Sequence, residues 1–400
     1  MLTPAAAESL ILAQIALLPA EDCPLAQAHG RILRLPLLAD RDFPSFDRVT
    51  MDGYALRHAV WAAGRHELQI AATQHAGDPG QTLASTETCI EVMTGAMLPV
   101  GTDTVVPYEE AQRAGEIITL RSGVEIKRGQ AVHRRGSDHR AGELIVAEGT
   151  RLGGGEIAVA ATCGAATLRV TRRARISVVA TGTELVETGS TPAPHQIRRS
   201  NDYALAAALA LAGHPQVERW HLPDDPAELT IRLRPIIEGF DAVVLCGGVS
   251  AGRRDFLPRV LEELGVRKIF HGVAQRPGKP LWFGVTPAGV PVFALPGNPV
   301  SAYTCLHRYV LPALEKMCGT PPAPPQTAAL SLPFDFRPKL ACLLPVKIRS
   351  SPRAERLADP MPTNTSGDFA GLIGTDGFVE LPAEIDEFPA GYVAQFRPWV

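Results

Sequence analysis

One short stretch of the sequence, CGGVSAGRRDF at positions 246–256, carries several residues that could do chemistry. Gly248, Ser250 and Gly252 form a literal G-x-S-x-G, the pattern of a nucleophile elbow that aims a serine at an ester carbonyl. The same glycines could instead let a loop wrap an anion, with Asp255 beside the ligand. The first interpretation predicts a serine hydrolase, and the second predicts a protein that binds or transfers a phosphorylated ligand.

The histidines do not favour the hydrolase. An α/β-hydrolase needs an acid and then a histidine downstream of its serine. The nearest acid here is Asp255, inside the same loop, and the later histidines are His271 and His307. His271 precedes a predicted hairpin and His307 falls midway along a predicted helix, so neither is expected at the end of the sheet. The anion-binding loop is therefore the favoured interpretation.

Length and composition restrict the class of protein. The chain has 400 residues, of which 46% are hydrophobic and 20% charged, with a formal net charge of -3. At about 100 to 200 residues per domain we expect two to four globular domains and no nucleic-acid partner. The apolar stretch 10–18 is too short for a membrane span and has no basic residue before it, so we predict an amphipathic helix, no membrane and a cytoplasmic protein. Seven singly spaced cysteines predict reduced thiols.

The elements that must position the loop alternate between about residues 171 and 319, as in a parallel α/β sheet. The predicted strands are 174–180, 217–222, 242–246 and 292–295, with 281–285 as a hairpin partner. The predicted helices run from an Asn201 cap to 213, from 226 to 238, from an Asp255 cap to 265, and from Asn298, with Pro299 at its first position, to 317.

Short alternating runs flank this α/β region on both sides. They predict a small β domain over residues 46–140 and a C-terminal β domain over 324–400, after the stiff linker TPPAPP. Residues 1–45 and 141–170 are predicted to form one discontinuous N-terminal domain of helical and extended segments. The fold class is thus multidomain α/β, with a central doubly wound domain at 171–319.

Glycines and charged residues collect in the loops that follow the predicted strands. These loops share one edge of an open parallel sheet, which is where ligands bind. The glycines that could bring backbone N–H groups close to an anion are Gly182, Gly247, Gly248, Gly278 and Gly297. Arg276 and Lys279 would supply positive charge. The pattern predicts a phosphate-binding site.

Three acids share the same predicted edge. Glu184, Asp224 and Asp255 would repel a phosphate unless a hard cation such as Mg²⁺ lay between them and the ligand. Purely structural roles also stay open for several of the residues at this edge. Asp255 could cap a helix with one apolar face, Asp224 could be a turn residue before a proline, and Asn298 with Pro299 is an ordinary helix start.

Eight motifs, in order along the chain, resemble the molybdopterin molybdenumtransferase family, MoeA, which includes the gephyrin E domain. They are HGRIL (29–33), FDRVTMDGYAL (46–56), MTGAMLPVGTDTVV (93–106), RRGSDHRAGE (134–143), ATGTEL (180–185), GGVSAGRRDF (247–256), RPGKP (276–280) and LPGNPVSA (295–302). The resemblance covers nearly the whole chain to about residue 317.

The resemblance implies an elongated homodimer of four-domain subunits, with a central domain like that of the MogA-type adenylyltransferase of the same pathway. The active cleft would lie between the α/β domain of one subunit and parts of the other. The implied reaction is the Mg²⁺-dependent insertion of molybdate into adenylylated molybdopterin, with release of AMP. The adenylyltransferase and apo-molybdoenzymes are further partners that the resemblance suggests.

The family's functional positions that keep the matching residue type here are Asp52, Thr94, Asp138, Glu184, Asp224, Asp255, Pro296 and Pro299. The resemblance implies that Glu184, Asp224 and Asp255 lie near the metal and the phosphates, and that residues 247–250 cradle the pterin phosphate or the anhydride. It implies that Asp52, Thr94 and Asp138 reach toward molybdate from the neighbouring subunit. The other candidate substrate-binding residues are Gly182, Gly247, Gly248, Ser250, Arg276, Lys279, Gly297, Asn298 and Ser366.

From the residues alone, each of the three could have a structural role. Asp52 could be a turn residue, Thr94 could have a hydroxyl that only makes a hydrogen bond within the fold, and Asp138 could cap a hairpin. The chain departs from the family mainly in its C-terminal domain, where Arg337 or Lys339 stands for a basic residue and 365–367 for a glycine-serine loop.

Two other functions stay open beside the transferase. One is a binding or scaffold module that keeps the fold, which the retained acids disfavour. The other is a nucleotide enzyme like the pathway's adenylyltransferase, which the flanking β domains disfavour.

Overall fold

The structure is a computed structural model that describes residues 1–249 and 256–399. The α-helices in these ranges are α1 Pro4–Gln14, α2 His58–Ala62, α3 Gly154–Thr162, α4 Asn201–Leu211, α5 Pro226–Gly239, α6 Leu257–Glu263, α7 Pro299–Cys305 and α8 Leu311–Cys318. A π-helical turn, Leu306–Val310, joins α7 to α8. Short 3₁₀ turns are Leu25–Gln27, Tyr108–Glu110 and Phe369–Leu372. Within the described ranges, every helix is too short or too polar to cross a membrane.

The first part of the chain builds a six-stranded sheet and several two-stranded ladders. Its strands are β1 Ala20–Pro24, β2 Leu37–Leu38, β3 Arg48–Val49, β4 Gly53–Leu56, β5 Glu67–Gln74, β6 Thr88–Val92, β7 Thr104–Pro107, β8 Ala111–Ala114, β9 Ile117–Leu120, β10 Val132–His133, β11 Leu144–Val146 and β12 Thr167–Thr171. The sheet has the order β7-β4-β6-β5-β9-β8. Its core includes Tyr54, Leu68 and Ile118, so the alternating runs predicted here are strands of one small β unit.

Two distant segments pair with each other beside this β unit. β1 pairs antiparallel with β12, and β2 pairs antiparallel with β11. Cys23 and Leu33 from the first segment share a buried cluster with Leu152 and Val170 from the second. A discontinuous N-terminal domain requires such contacts. The division of the chain into four domains at the stated boundaries stays a prediction.

The central region forms a mixed six-stranded sheet. The strands of this region are β13 Ile176–Thr181, β14 Leu185–Val186, β15 Ile197–Arg198, β16 Val217–Leu222, β17 Ala242–Cys246, β18 Arg267–His271, β19 Gln275–Arg276, β20 Trp282–Val285 and β21 Pro291–Leu295. The sheet order is β16-β13-β17-β21-β20-β18, and the first four of these strands are parallel. Both faces are covered, which explains the continuous apolar runs that predicted these strands.

Several details of the sequence prediction are wrong. The antiparallel edge strand β18 was not predicted, because its residues RKIFH are mostly half-exposed or exposed and give no apolar run. Helix α4 begins after Ser200, not after an Asn201 cap. Helix α6 has Phe256 at the cap position expected for Asp255. The last predicted helix of this region is interrupted by the π-helical turn.

The first helix also differs from its prediction. The apolar stretch 10–18 predicted the helix, yet α1 spans Pro4–Gln14 and the chain is extended at Ile15. Thr3 caps the helix by accepting a hydrogen bond from the N–H of Ala6 at 3.2 Å, and Pro4 occupies the first helical position. A threonine followed by proline is a recognised helix start, so local capping decided the position of the helix over apolar content.

The C-terminal residues form a closed barrel. Its strands are β22 Gln326–Leu330, β23 Phe334–Asp335, β24 Ala341–Ser350, β25 Arg356–Pro360, β26 Gly377–Leu381, β27 Glu387–Phe388 and β28 Val393–Pro398. The ladder β24-β25-β22-β28-β26 closes through a pairing of β26 with β24. Strand β19 of the central region adds to β24 in parallel, so the segment that carries Arg276 is shared between the two units.

A buried group of ion pairs joins the N-terminal helix, the central domain and the barrel. Arg308, in the π-helical turn, is 1% exposed and lies 2.7 Å from Glu8 of α1 and 2.8 Å from Glu380 of β26. Arg397 of β28 contacts the same Glu8 at 3.2 Å. Burial opposes the charged form of Arg308, but the two carboxylates outweigh it and raise the pKa of the guanidinium.

Replacing the buried arginine should test how much these parts depend on one another. Arg308→Met keeps most of the side-chain volume but removes the ion-pair partner of Glu380 and leaves Glu8 with Arg397 alone, so we expect the free energy of unfolding to fall by about 3 to 5 kcal/mol. Arg259→Met is the matched control, because Arg259 forms an exposed ion pair with Glu263 and its loss should cost about 0.5 kcal/mol or less. Urea unfolding followed by tryptophan fluorescence measures both. Equal stability of the two variants would show that the buried pairs hold nothing together.

Candidate functional site

A cleft of about 680 Å³ opens at the carboxyl ends of the parallel strands. The predicted site residues that line it are Glu184, Asp224, Gly247, Gly248, Pro296, Gly297, Asn298 and Pro299. They come from the loops after β13, β16, β17 and β21, as the sheet-edge argument expects. Two further predicted residues, Ser250 and Asp255, lie outside the described residues.

The loop after β17 requires glycine for two reasons. Gly247 has φ +107° and Gly248 has φ +63°, both in the left-handed region. A Cβ on Gly247 would overlap the carbonyl oxygen of Thr181 and lie 2.8 Å from its Oγ1. A Cβ on Gly297 would lie 3.5 Å from the Cα of Gly247, so the loops after β17 and β21 are in backbone contact. The cleft floor is therefore made largely of main chain.

The two described acids flank this floor. The carboxylate of Glu184 folds back over Gly182, because a Cβ at that glycine would lie 2.9 Å from Oε2. Asp224 donates its N–H to Thr183 Oγ1 at 3.2 Å, and its Oδ1 would lie 3.9 Å from a Cβ on Gly248. Gly182 thus supports an acid and does not itself line the cleft. The two acids stand on neighbouring loops at the same sheet edge.

Asp224 lies in a bend just before α5, and the cap of that helix is its neighbour. Asp225 caps α5 by accepting a hydrogen bond from the N–H of Glu228 at 2.8 Å. The side chain of Asp224 is therefore not needed for the cap. In residues 1–249 and 256–399 no group of three or more His, Cys, Asp or Glu side chains is arranged to hold a metal ion. The predicted third acid, Asp255, is not in those ranges.

Sequence reasoning missed a buried charge pair in the cleft wall. Arg199 is 8% exposed and lies 2.6 Å from Asp202, which is fully buried, and 2.6 Å from Glu187. The neighbouring Arg198 is exposed, so the two adjacent arginines have different surroundings. Burial opposes the charge of Arg199, but Asp202 raises its pKa above the ordinary value. The three-residue spacing of Arg199 and Asp202 at a helix start was the available signal.

Helix α4 is also tied to the loop after β21. Asn201 Nδ2 donates to the carbonyl oxygen of Gly297 at 2.7 Å, which explains why this side chain does not cap its own helix. On the other wall, His271 Nε2 lies 3.0 Å from the carbonyl oxygen of Val249. The glycine loop and the loop after β21 are therefore each held by a polar side chain from a neighbouring element.

A second cavity, about 520 Å³, adjoins the cleft between the central domain and the barrel. The two share Pro280, Pro296 and Asn298 in their walls. The polar residues that line the second cavity include Arg276, Lys279, Asp335, Arg337, Asn364, Thr365 and Ser366. Three of these are cations, one is an acid and two carry hydroxyl groups. The cavity therefore suits an oxyanion.

Ser366 and Arg337 of the barrel lie at this cavity, and two hydrogen bonds join Ser366 to the central domain. Asn298 Nδ2 donates to Ser366 Oγ at 2.7 Å, and the carbonyl oxygen of Ser366 accepts the N–H of Val300 at 3.1 Å. Of the two basic residues left open by the sequence, Arg337 lines the cavity. Lys339 instead forms an exposed ion pair with Asp386, with N–O distances of 2.9 and 3.0 Å.

The remaining predicted residues lie in the N-terminal β unit, around β3. Asp52 Oδ1 accepts hydrogen bonds from the N–H and Oγ1 of Thr94 at 2.6 and 2.7 Å, and both bonds lower its pKa. Asp138 Oδ1 lies 2.8 Å from His133 Nε2. His133 pairs with Arg48 in the β3–β10 ladder, and the N–H of Gly95 donates to Val49 of the same strand.

This second group is separate from the cleft lining. Asp52, Thr94 and Asp138 surround one short strand, and the described walls of the cleft and of the second cavity do not include them. Within one chain the structure therefore gathers the predicted site into two groups. One is at the sheet edge, and the other surrounds β3.

Comparison with known protein families covers almost the whole chain. The family model described as MoeA N-terminal region (domain I and II) matches residues 2–164. The model described as a probable molybdopterin binding domain matches residues 177–316, and the MoeA C-terminal region (domain IV) matches residues 327–399.

Individual relatives agree with these matches. The chain is 39% identical over 373 residues to the molybdopterin molybdenumtransferase of Synechocystis sp., covering 93% of each. It is 33% identical over 408 residues to that of Synechococcus elongatus, covering 99% of each. A crystal structure of a molybdopterin biosynthesis MoeA protein from Pyrococcus horikoshii, 29% identical, superposes with a TM-score of 0.84 over 100% of this chain and 99% of that one. The expected multidomain α/β fold is confirmed.

A methyl group at Gly247 should disturb the cleft floor. Gly247→Ala forces a side chain into the carbonyl of Thr181 at positive φ, so we expect a loss of about 1 to 3 kcal/mol in the free energy of unfolding. The imidazole NMR signals of His271 should also shift, because its hydrogen bond to the same loop changes. Gly189→Ala is the control, since a Cβ there meets nothing within 4 Å. Unchanged stability and unchanged His271 signals in Gly247→Ala would contradict this account of the loop.

Proposed function

Because this chain belongs to the molybdopterin molybdenumtransferase (MoeA) family of molybdenum cofactor biosynthesis, we propose that it inserts molybdate into adenylylated molybdopterin and releases AMP. The observation that carries the proposal is the pairing of two cavities. A cleft with a main-chain floor and two acids shares a wall with a cavity that is lined by three cations. The reaction needs two anionic reactants held side by side, and this arrangement provides adjacent places for them.

The cleft suits the phosphoanhydride of adenylylated molybdopterin. Gly247, Gly248 and Gly297 line the cleft without side chains, so main-chain N–H groups there could approach phosphate oxygens closely. Glu184 and Asp224 offer hard oxygen ligands on neighbouring loops, and Asp255 is the third candidate from the sequence. This donor set fits Mg²⁺, which keeps several of its waters and needs few protein ligands. The ion, when bound, supplies charge neutralisation at the anhydride.

The second cavity suits molybdate. Arg276, Lys279 and Arg337 bring positive charge, and Ser366 brings a hydroxyl group that is already oriented by Asn298. A tetrahedral oxyanion is recognised well by guanidinium groups and hydroxyls. Asp52, Thr94 and Asp138 were expected to address molybdate, but two of them are carboxylates and would repel it. We therefore assign molybdate to the cationic cavity in this proposal.

Asn298 and Pro296 form the shared wall, so they set the separation of the two reactants. Holding the anhydride and molybdate together converts a slow bimolecular reaction into one between positioned groups. The cations and the main-chain donors stabilise negative charge that develops as AMP leaves. No covalent intermediate on the protein is needed. Chemistry of this kind depends on position and charge, which agrees with a site built from loops tied to each other.

A homodimer is part of the same proposal. The group around β3 is exposed and ordered by its own hydrogen bonds, as expected of a surface that meets a second subunit. In such a dimer Asp52, Thr94 and Asp138 would complete the cleft of the partner. A cytoplasmic location and contacts with the adenylyltransferase and with apo-molybdoenzymes remain further parts of the proposal.

An assay of AMP release tests the proposed roles of Glu184, Asp224 and Asp255 at the phosphates. The protein is incubated with adenylylated molybdopterin, molybdate and MgCl₂, and AMP is measured over time. We expect Glu184→Gln, Asp224→Asn and Asp255→Ala each to lower the rate by about 10² to 10³-fold, since each removes charge at the phosphates. Glu228→Gln is the control, because Glu228 pairs with Arg232 on the outside of α5.

Other results of this assay would be equally informative. If the protein binds the substrate but releases no AMP, the transferase function is rejected and the binding-module function is favoured. An Asp255→Ala protein that melts several degrees lower while keeping its rate would favour a structural role for Asp255.

A matched pair of basic residues tests the place of molybdate. Arg337→Ala removes a cation from the second cavity, so we expect the KM for molybdate to rise about tenfold with little change in the KM for adenylylated molybdopterin. Lys339→Ala removes a nearby cation that pairs with Asp386 on the surface, and both constants should stay unchanged. If the two variants behave alike, or if only the pterin KM rises in Arg337→Ala, molybdate does not bind in this cavity.

A further inference from the structure

A small cavity lies at the opposite edge of the central sheet from the cleft. Its volume is about 20 Å³, and its walls come from the N-terminal segments, from the residues just before β13 and β16, and from the end of α8. The polar side chains in these walls are Arg31, Arg151, Thr171, Arg172, Arg173, His214 and Cys318. The cavity is thus strongly cationic and sits at the junction of two units.

A buried histidine with an unused nitrogen faces this junction. His214 follows α4, is 6% exposed, and has no hydrogen-bond partner for Nε2 among the described residues. Burial lowers its pKa to about 4, and the charges of Arg151 and Arg173 act in the same direction. A buried polar nitrogen without a partner is costly, so a ligand that accepts a hydrogen bond here would be stabilised.

The four arginines differ in whether a carboxylate already neutralises them. Arg31 pairs with Glu21, and Arg172 pairs with Asp241 at 2.8 Å. Among the described residues, Arg151 donates one hydrogen bond, to the carbonyl oxygen of Gly30 at 3.2 Å, and a Cβ on Gly213 would lie 3.1 Å from the same Nη1.

For Arg173 the described part of the chain offers no ion-pair partner within 4.0 Å. Glu315 interacts with Arg151, and burial raises the pKa of Glu315. The guanidinium groups of Arg151 and Arg173 both lie near the histidine.

We propose that this cavity binds a small inorganic anion, held by Arg151, Arg173 and an N–H of His214. A space of this size accommodates one small ion or one water. An anion satisfies the histidine nitrogen and offsets the repulsion between the two guanidinium groups, which a water does only in part. The site differs from the reaction cleft in its position and in its lining residues. Its effect is to bind the N-terminal segments to the central domain.

Anion titrations at constant ionic strength test the proposal. Chloride, phosphate and sulfate are the probes, and sodium gluconate keeps the ionic strength fixed because its anion is too large for the cavity. A probe that binds should raise Tm in a saturable way, by about 2 to 4 °C at tenfold excess over its Kd. It should also raise the pKa of His214 measured by NMR, since a nearby anion favours the charged imidazole. A response to chloride alone or to the oxyanions alone identifies which kind of anion the site takes.

Variants distinguish this site from a general salt effect. In Arg173→Gln and Arg151→Gln the Tm increase should fall at least threefold, whereas Arg173→Lys should keep most of it. Arg65→Gln, which breaks an exposed pair with Glu87 in the N-terminal β unit, should leave the increase intact. The proposal is overturned if no probe gives a saturable increase, or if Arg173→Gln responds as the unmodified protein does. The cavity would then hold water only.

Discussion

The contact between Arg308 and the carboxylates of Glu8 and Glu380 is the constraint on which the rest of the structure depends. A buried guanidinium is tolerated only when it is paired, and here its partners come from the N-terminal helix and from the C-terminal barrel. The turn that carries Arg308 follows α7, whose first residue, Pro299, lines the cleft and whose next residues, Val300 and Ser301, line the second cavity. The same pairing therefore helps to align the walls of the second cavity. The pairing of β19 with β24 and the hydrogen bond from Asn298 to Ser366 also hold the barrel against the central domain.

The candidate site follows from the order of the strands and from the lack of side chains at a few positions. Parallel strands bring their following loops to one edge, and glycine at 247 lets the main chain of one loop lie against the next. Polar side chains such as Asn201 and His271 then hold these loops from outside. Both cavities carry charges of both signs: Arg198 and Arg199 line the cleft beside its acids, and Asp335 lines the adjoining cavity beside its three cations.

The sequence predicts the sheet well where burial is complete and poorly where it is partial. Strands β13, β17 and β21 are buried along their whole length, so their apolar runs are unmistakable. The half-exposed residues of β18 give no such pattern, and pairing with β20 alone makes them a strand. Position 199 could not be separated from 198 by residue type, because burial of Arg199 depends on Asp202 and Glu187. Arg337 and Lys339 are likewise told apart only by the position of Asp386.

The pairing of Glu8 with Arg397 spans 389 positions of the chain, which has a consequence for protein synthesis. A ribosome makes helix α1 before Arg308 and Arg397, the two residues that neutralise Glu8, at roughly 5 to 20 residues per second. The apolar residues Ala7 and Ile11 of that helix pack with central-domain residues such as Leu314 and Met317, which are also made later. Nascent chains therefore carry an exposed hydrophobic helix until the central domain has been made, and chaperones that cover such segments are expected to matter more for this protein than its final stability suggests.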